Sequence, residues 1–152
     1  MPTAVLMGVA ELRMNEAGQM RALVVDDNAY ARAFCSVALN QFGIEGIEEA
    51  PNGAEAILKL LDGQFDLVLM DWYMPDITGA GVLQVLRDAR FGRGATTPVI
   101  LMTAYPSSDN FERARLLAVD AILPKPFSRA DLGRTLARIL PQRATAGEIA
   151  YV

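Results

Sequence analysis

The sequence predicts one α/β domain, a doubly wound (βα)5 sandwich with parallel strands. Three observations support this. Short apolar runs alternate five times with segments whose apolar residues recur at helical spacing. Several of these runs are apolar throughout, which is typical of strands that helices cover on both faces. The chain has 152 residues and is 52% hydrophobic, enough for one domain with a full core.

Five short runs, rich in apolar and β-branched residues, are predicted to be the strands. The first, third and fourth carry no polar residue before their last position, whereas the second, "GIEEA", is shorter and weaker. The runs lie at 22–25, 46–50, 67–70, 99–103 and 121–124.

Apolar residues three and four positions apart predict a helix after each strand. The first helix is expected to end at Gly43, the third to reach Ala89 and the fourth to reach Ala118. Capping pairs are predicted at the start of the second and fifth helices: Asn52 with Glu55, and Ser128 with Asp131.

Composition excludes several functions. The net charge of −4, without a long basic block, argues against nucleic-acid binding. No apolar run approaches the roughly 18 residues of a membrane span, so we expect no membrane insertion. The single cysteine, Cys35, cannot form an intrachain disulfide and fits a reducing, cytoplasmic location; on a helix stripe, it is predicted to be core. The absence of histidine rules out a catalytic triad, a Cys-His pair and a histidine-bound metal.

Polar residues cluster where the predicted strands end. In open α/β sheets, sites form at the carboxyl ends of the strands, where the strand order reverses. In the order 2-1-3-4-5, strands 1 and 3 are neighbours, followed by 4 and 5. Five residues are then expected to converge on one edge: Asp26, Asp27, Asp71, Thr103 and Lys125.

Four motifs resemble the response-regulator receiver domain, the CheY-like and flavodoxin-like fold of two-component signalling. They cover roughly residues 21–140, in order, each at the end of its own strand. The motifs are "VVDDN" from Val24, "MDWYMPDITG" from Met70, "MTA" from Met102 and "PKPF" from Pro124.

The resemblance assigns a role to each site residue. It implies that Asp71 is the phosphoacceptor and that Asp26 and Asp27 bind Mg²⁺ together with Asp71 and the backbone carbonyl of Tyr73. Thr103 would offer a hydroxyl and Lys125 an ammonium to the phosphoryl group. The peptide bond between Lys125 and Pro126 is expected to be cis. Oxygen ligands without histidine or thiolate independently suit Mg²⁺, and a carboxylate is a competent nucleophile in phosphoryl transfer.

The resemblance also implies the partners. A histidine kinase or histidine phosphotransfer protein would donate the phosphoryl group, and an unidentified protein would receive the signal. We expect no enzymatic activity beyond self-phosphorylation and autodephosphorylation. The residue three before the lysine, where an aromatic switch is usual in the family, is Ile122, so helix 4 and its preceding loop are expected to carry the conformational change.

Three alternative functions share parts of this pattern. A haloacid-dehalogenase-type phosphatase would need a second aspartate two residues after the nucleophile, where Tyr73 stands. An FMN-binding flavodoxin would need a phosphate cradle where this chain has the acidic "DDNAY". A degenerate receiver that binds partners without phosphorylation is disfavoured, but not excluded, by the intact acidic, hydroxyl and lysine set.

The predicted domain limits follow the repeating pattern. Residues 1–20 are assigned to an N-terminal extension that does not resemble a signal peptide, residues 21–141 to the receiver domain and residues 142–152 to a C-terminal tail. Because the tail is too short for an output domain, a stand-alone receiver is expected.

Overall fold

The computed structural model describes residues 20–140, with only the backbone at four positions between 89 and 94. Most of the predicted extension and the predicted tail therefore lie outside the described residues. Strands and helices alternate along the chain. The strands are β1 (Arg21–Val25), β2 (Gly46–Ala50), β3 (Leu67–Asp71), β4 (Val99–Thr103) and β5 (Ala121–Pro124). The helices are α1 (Ala29–Gln41), α2 (Gly53–Asp62), α3 (Gly79–Leu86), α4 (Ser108–Leu116) and α5 (Arg129–Ile139).

All five strands are parallel and lie in the order β2-β1-β3-β4-β5, which confirms the predicted fold and strand order. The register aligns the strand ends: Val25 is opposite Met70, Asp71 is opposite Met102, and Thr103 is opposite Pro124. The carboxyl ends of β1, β3, β4 and β5 therefore meet at one edge of the sheet.

The core consists of two layers, one on each face of the sheet. All five residues of β3 are buried, and their side chains alternate between the layers, as the two-residue period of a strand requires. Leu67 and Leu69 pack with residues of α1 and α5, whereas Val68 and Met70 pack with residues of α2 and α3. Cys35 is buried in the first layer, as predicted, with its sulfur 3.7 Å from that of Met102.

Every helix begins with a side-chain cap. In each case the capping oxygen accepts the backbone N–H three residues later, which satisfies one of the unpaired donors of the first turn. In α5 the capping box is complete, because the Asp131 carboxylate also accepts the N–H of Ser128. The five caps are Asn28, Asn52, Thr78, Ser107 and Ser128.

Helix ends follow the prediction in α1 and differ in α3 and α4. Gly43 ends α1 with φ of 97°, as predicted. The predicted extension of α4 to Ala118 was wrong: Ala118 has φ of 58°, and the Val119 N–H bonds back to the Ala114 carbonyl. These are features of a Schellman motif with alanine in the usual glycine position. Because no glycine marks the end of α4, the sequence did not predict where this helix stops.

The third helix was also predicted too long. It ends at Leu86 rather than Ala89, and a 3-10 segment (Ala89–Thr96) with a kink at Gly92 precedes β4. Arg87 directly follows α3, and its side chain donates to the carbonyls of Thr97 and Ala118, at 2.6 and 2.9 Å. This guanidinium ties together two loops at the amino edge of the sheet, opposite the edge with the polar cluster.

Met20, assigned to the extension, belongs to the folded unit. Its side chain is buried, and its carbonyl accepts a hydrogen bond from Gly46 N–H at 3.2 Å. Across the part of the chain that the structure describes, no helix is both long enough and apolar enough to cross a membrane.

Candidate functional site

The carboxyl edge of the sheet brings all five predicted site residues together. Asp26 and Asp27 directly follow β1, Asp71 ends β3, Thr103 ends β4 and Lys125 follows β5. Adjacent parallel strands in this register place these positions side by side.

Three carboxylates form the centre of the site. Asp26 is fully buried, Asp71 is 7% exposed and Asp27 is exposed, yet one oxygen of each lies within 4.8 Å of the others. The pKa of Asp71 is raised from 3.8 to about 6, chiefly because burial disfavours the charged carboxylate. The Lys125 ammonium opposes this rise, and the Asp26 and Asp27 carboxylates add to it. Such a cluster is unfavourable in its charged form unless a cation neutralises it.

Lys125 supplies one such cation. Its Nζ lies 2.6 Å from Asp26 Oδ2 and 3.2 Å from Asp71 Oδ1. Burial alone would lower the pKa of this ammonium, but the two carboxylates outweigh that effect and raise the pKa, so Lys125 remains charged. Its backbone N–H donates to the Thr103 carbonyl at 2.7 Å, and the peptide bond to Pro126 is cis, as expected.

Asp26 is held by the start of α1. Its second carboxylate oxygen accepts the N–H of Asn28 at 2.9 Å, and Asn28 is also the α1 cap. The Arg32 guanidinium donates to the Asp26 carbonyl at 2.7 Å. The orientation of this buried carboxylate therefore depends on the first turns of α1.

Thr103 is buried, and its Oγ1 accepts the backbone N–H of Tyr105 at 3.0 Å. A hydroxyl both accepts and donates, so this contact leaves Thr103 able to donate a hydrogen bond to an anion. Ile122, on the neighbouring strand, is partly buried against the second core layer.

Two residues that position Asp71 were not singled out from the sequence. The Asp76 carboxylate accepts the N–H groups of Gly53 and Ala54, at 3.1 and 2.9 Å, which fixes the loop after β3 to the start of α2. Gly79 passes so close that an added Cβ would lie 2.6 Å from the Asp71 carbonyl oxygen. The motif "PDITG" predicts a turn. It does not predict that Asp76 bonds to the start of α2 or that Gly79 lies against the Asp71 carbonyl.

The donor set suits a hard divalent cation. Carboxylate oxygens within a few ångströms of one another, with neither histidine nor thiolate, match the preference of Mg²⁺. Among the described residues Asp26, Asp27 and Asp71 would provide these ligands. The participation of the Tyr73 backbone carbonyl stays a prediction.

Comparison with known proteins decides the family. The family model of the response regulator receiver domain matches residues 22–137. The chain belongs to this family. Over 121 residues the receiver domain is 31% identical to the chemotaxis protein CheY of Pseudomonas aeruginosa, an alignment that covers 79% of this chain and 95% of that protein.

A longer relative and two solved structures extend the comparison. The receiver domain is 34% identical to the transcriptional regulatory protein ResD of Bacillus subtilis, over 76% of this chain but only 45% of ResD. CheY4 of Vibrio cholerae superposes with a TM-score of 0.73 at 29% identity, covering 80% of this chain and 98% of that one. The receiver domain of a Pseudomonas aeruginosa sensor histidine kinase, with magnesium coordinated in its active-site cleft, gives 0.71 at 25% identity, over 80% and 98% of the two chains.

Membership places the chain in two-component signalling and favours the receiver interpretation over the phosphatase and FMN-binding alternatives. The receiver domain spans about half the length of ResD and nearly the full length of CheY. The fold therefore agrees with the family.

Proposed function

We propose that Asp71 accepts a phosphoryl group from a phosphohistidine, with Mg²⁺ bound beside it, and that the phosphorylated domain then changes its contacts with a target protein. One observation carries this proposal: Asp71 lies in a cluster of three carboxylates and contacts the ammonium of Lys125. A nucleophilic carboxylate needs an adjacent positive charge in order to approach an anionic phosphoryl group.

The chain's own residues account for most of the chemistry. An Asp71 carboxylate oxygen attacks phosphorus, the P–N bond breaks, and the imidazole nitrogen of the donor keeps the bonding electron pair. Lys125, and Thr103 through its hydroxyl, would stabilise the negative charge on the phosphoryl oxygens. A bound Mg²⁺, held by Asp26, Asp27, Asp71 and the Tyr73 carbonyl, would neutralise further charge.

The 152 residues include no histidine, so a phosphohistidine donor would come from outside them. We infer that it is a histidine kinase or a histidine phosphotransfer protein, and that a separate protein receives the signal. In this proposal the domain catalyses only its own phosphorylation and dephosphorylation. A cytoplasmic location fits the buried, unpaired thiol of Cys35.

Phosphoramidate and Mg²⁺ test the proposal without the natural donor. Intact-mass measurement is expected to show one added phosphate, and peptide mapping to place it on Asp71. Asp71→Asn and EDTA are each expected to abolish labelling. Asp109→Asn is the matched control because Asp109 is an exposed carboxylate in α4, and labelling should persist.

The main competing function is a receiver that binds its partner without phosphorylation. If that function is correct, the wild-type protein would not be labelled, and it would bind the same partner with and without the donor. Label on a residue other than Asp71, or labelling that survives EDTA, would contradict the proposed mechanism.

A further inference from the structure

Two tyrosines connect the loops that leave the site. Tyr73 follows Asp71 by two residues, and Tyr105 follows Thr103 by two. Their rings make an edge-to-face contact, with centroids 5.8 Å apart and planes at 76°. Both side chains are exposed, at 45% and 71%. The contact therefore bridges the rim between β3 and β4 on the solvent side of the sheet edge.

Asn110, in the first turn of α4, fixes this bridge. Its Nδ2 donates to the Tyr73 hydroxyl at 2.8 Å and reaches the Tyr105 carbonyl at 3.5 Å. Its own backbone N–H donates to the α4 cap, Ser107, at 3.1 Å. One side chain thus joins α4 to both loops that frame Asp71 and Thr103.

The loop that carries Tyr105 is also bonded to a residue of the site. The Tyr105 N–H is the donor to Thr103 Oγ1, so the loop that carries the ring is anchored on a predicted phosphate-binding hydroxyl. Asp71 beneath this rim is only 7% exposed. A donor or a hydrolytic water that approached between the loops after β3 and β4 would then meet the linked tyrosines.

We propose that Asn110 is a positioning residue: it holds Tyr73 against Tyr105 and so slows phosphoryl exchange at Asp71 in both directions. This inference rests on the proposed function of Asp71. An edge-to-face ring pair and one hydrogen bond each favour a closed arrangement by about twofold to tenfold. If reaction requires the open arrangement, labelling and hydrolysis both scale with the open fraction, and losing the link accelerates both.

A double-mutant cycle on the link separates this role from a structural one. Phosphoramidate labelling breaks a P–N bond and releases ammonia; in hydrolysis a water oxygen bonds to phosphorus, and the Asp71 carboxylate leaves. Tyr73→Phe and Asn110→Ala are each expected to raise both rates by about twofold to tenfold. The double variant should be no faster than the single variants, because both changes remove the same hydrogen bond.

Ser108→Ala, in the same turn of α4 but outside the link, is the control and should leave both rates unchanged. Unchanged rates in the single variants, additive effects in the double variant, or acceleration of only one reaction would overturn the inference. Tyr73→Phe removes a single oxygen atom, so the test remains valid if Asn110→Ala weakens α4. If the wild-type protein is not labelled at Asp71, the proposed function fails; if it is labelled but the cycle shows no effect, only the role of Asn110 fails.

Discussion

At the scale of the residue, the site is a compromise between burial and charge. Asp71 and Asp26 are buried where carboxylates are costly, and Lys125 compensates only part of that cost. The remaining imbalance appears as the raised pKa of Asp71, about 6 instead of 3.8. Folding therefore opposes the ionised form that the proposed chemistry requires, and cation binding and folding stability become linked.

This imbalance predicts a pH dependence of stability without divalent cations. A raised folded-state pKa contributes stability that is fully present below about pH 4 and is lost as the pH rises through about 6. The difference corresponds to about 3 kcal/mol. Asp71→Asn, which cannot ionise, should therefore exceed the wild type in stability by about 1–3 kcal/mol at pH 7.5 and by about half as much at pH 5.

Urea unfolding in EDTA at pH 5, 6 and 7.5 measures this difference. Asp76→Asn is the matched control, because hydrogen bonds from the Ala54 and Gly53 backbones lower the pKa of Asp76. Asp76 is ionised throughout this range, so its variant should differ from the wild type by a constant amount. Parallel pH profiles for Asp71→Asn and the wild type would show that the buried carboxylate carries no such penalty.

At the scale of the element, helix starts position the site. Asn28 both caps α1 and binds Asp26, and Asp76 fixes the loop after β3 to the first turn of α2. The start of α3 lies against the backbone next to Asp71. There the Gly79 N–H donates to the Trp72 carbonyl at 2.7 Å. The polar edge is therefore assembled from contacts between loops and helix starts as well as from the sheet.

A substitution at Gly79 tests whether the start of α3 positions the site. In Gly79→Ala the new Cβ would lie 2.6 Å from the Asp71 carbonyl oxygen and 3.2 Å from Trp72 Cα, and neither backbone group can rotate away. We expect a loss of about 1–3 kcal/mol of stability together with slower phosphoramidate labelling. Gly63→Ala is the control, because its Cβ would first meet the flexible Arg21 side chain, at 3.3 Å. Equal stability and labelling in the two variants would show that α3 does not constrain Asp71.

At the scale of the whole molecule, the two sheet edges differ. The carboxyl edge gathers charged and hydroxyl groups, whereas Arg87 at the amino edge ties loops together through backbone carbonyls. Met20 also lies at that edge, where its side chain is buried and its carbonyl accepts the Gly46 N–H. Met20 is thus remote from the carboxylate cluster along the sheet.

A chain of residues 20–140 tests the domain limits. It keeps the buried Met20 and the last turn of α5, so we expect it to unfold cooperatively with a midpoint near that of the full chain and to accept phosphate at a similar rate. A second version, starting at Leu23, should be less stable, because it loses Met20 and the two following residues of β1. A tenfold drop in labelling for residues 20–140 would make the extension part of the functional unit.

Sequence reasoning succeeded where the signal was local or where strand ends align. The five strands, the caps at Asn52 and Ser128 and the convergence of Asp26, Asp71 and Lys125 follow from periodicity, capping patterns and parallel topology. The strand order expected for this fold is also confirmed. It failed where backbone conformation overrides composition, as in the left-handed Ala118. It also missed Asn110, since a contact between separate loops depends on side-chain directions that no spacing rule encodes.

The burial of Cys35 has a practical consequence for chemical labelling. Burial is the largest effect that raises the pKa of its thiol, to about 12, so almost no reactive thiolate exists near neutral pH. As the chain has no other cysteine, a cysteine introduced at an exposed position such as Ser108 would react selectively with a maleimide dye. Fluorescent reporters could thus be attached to α4 without first replacing a core residue.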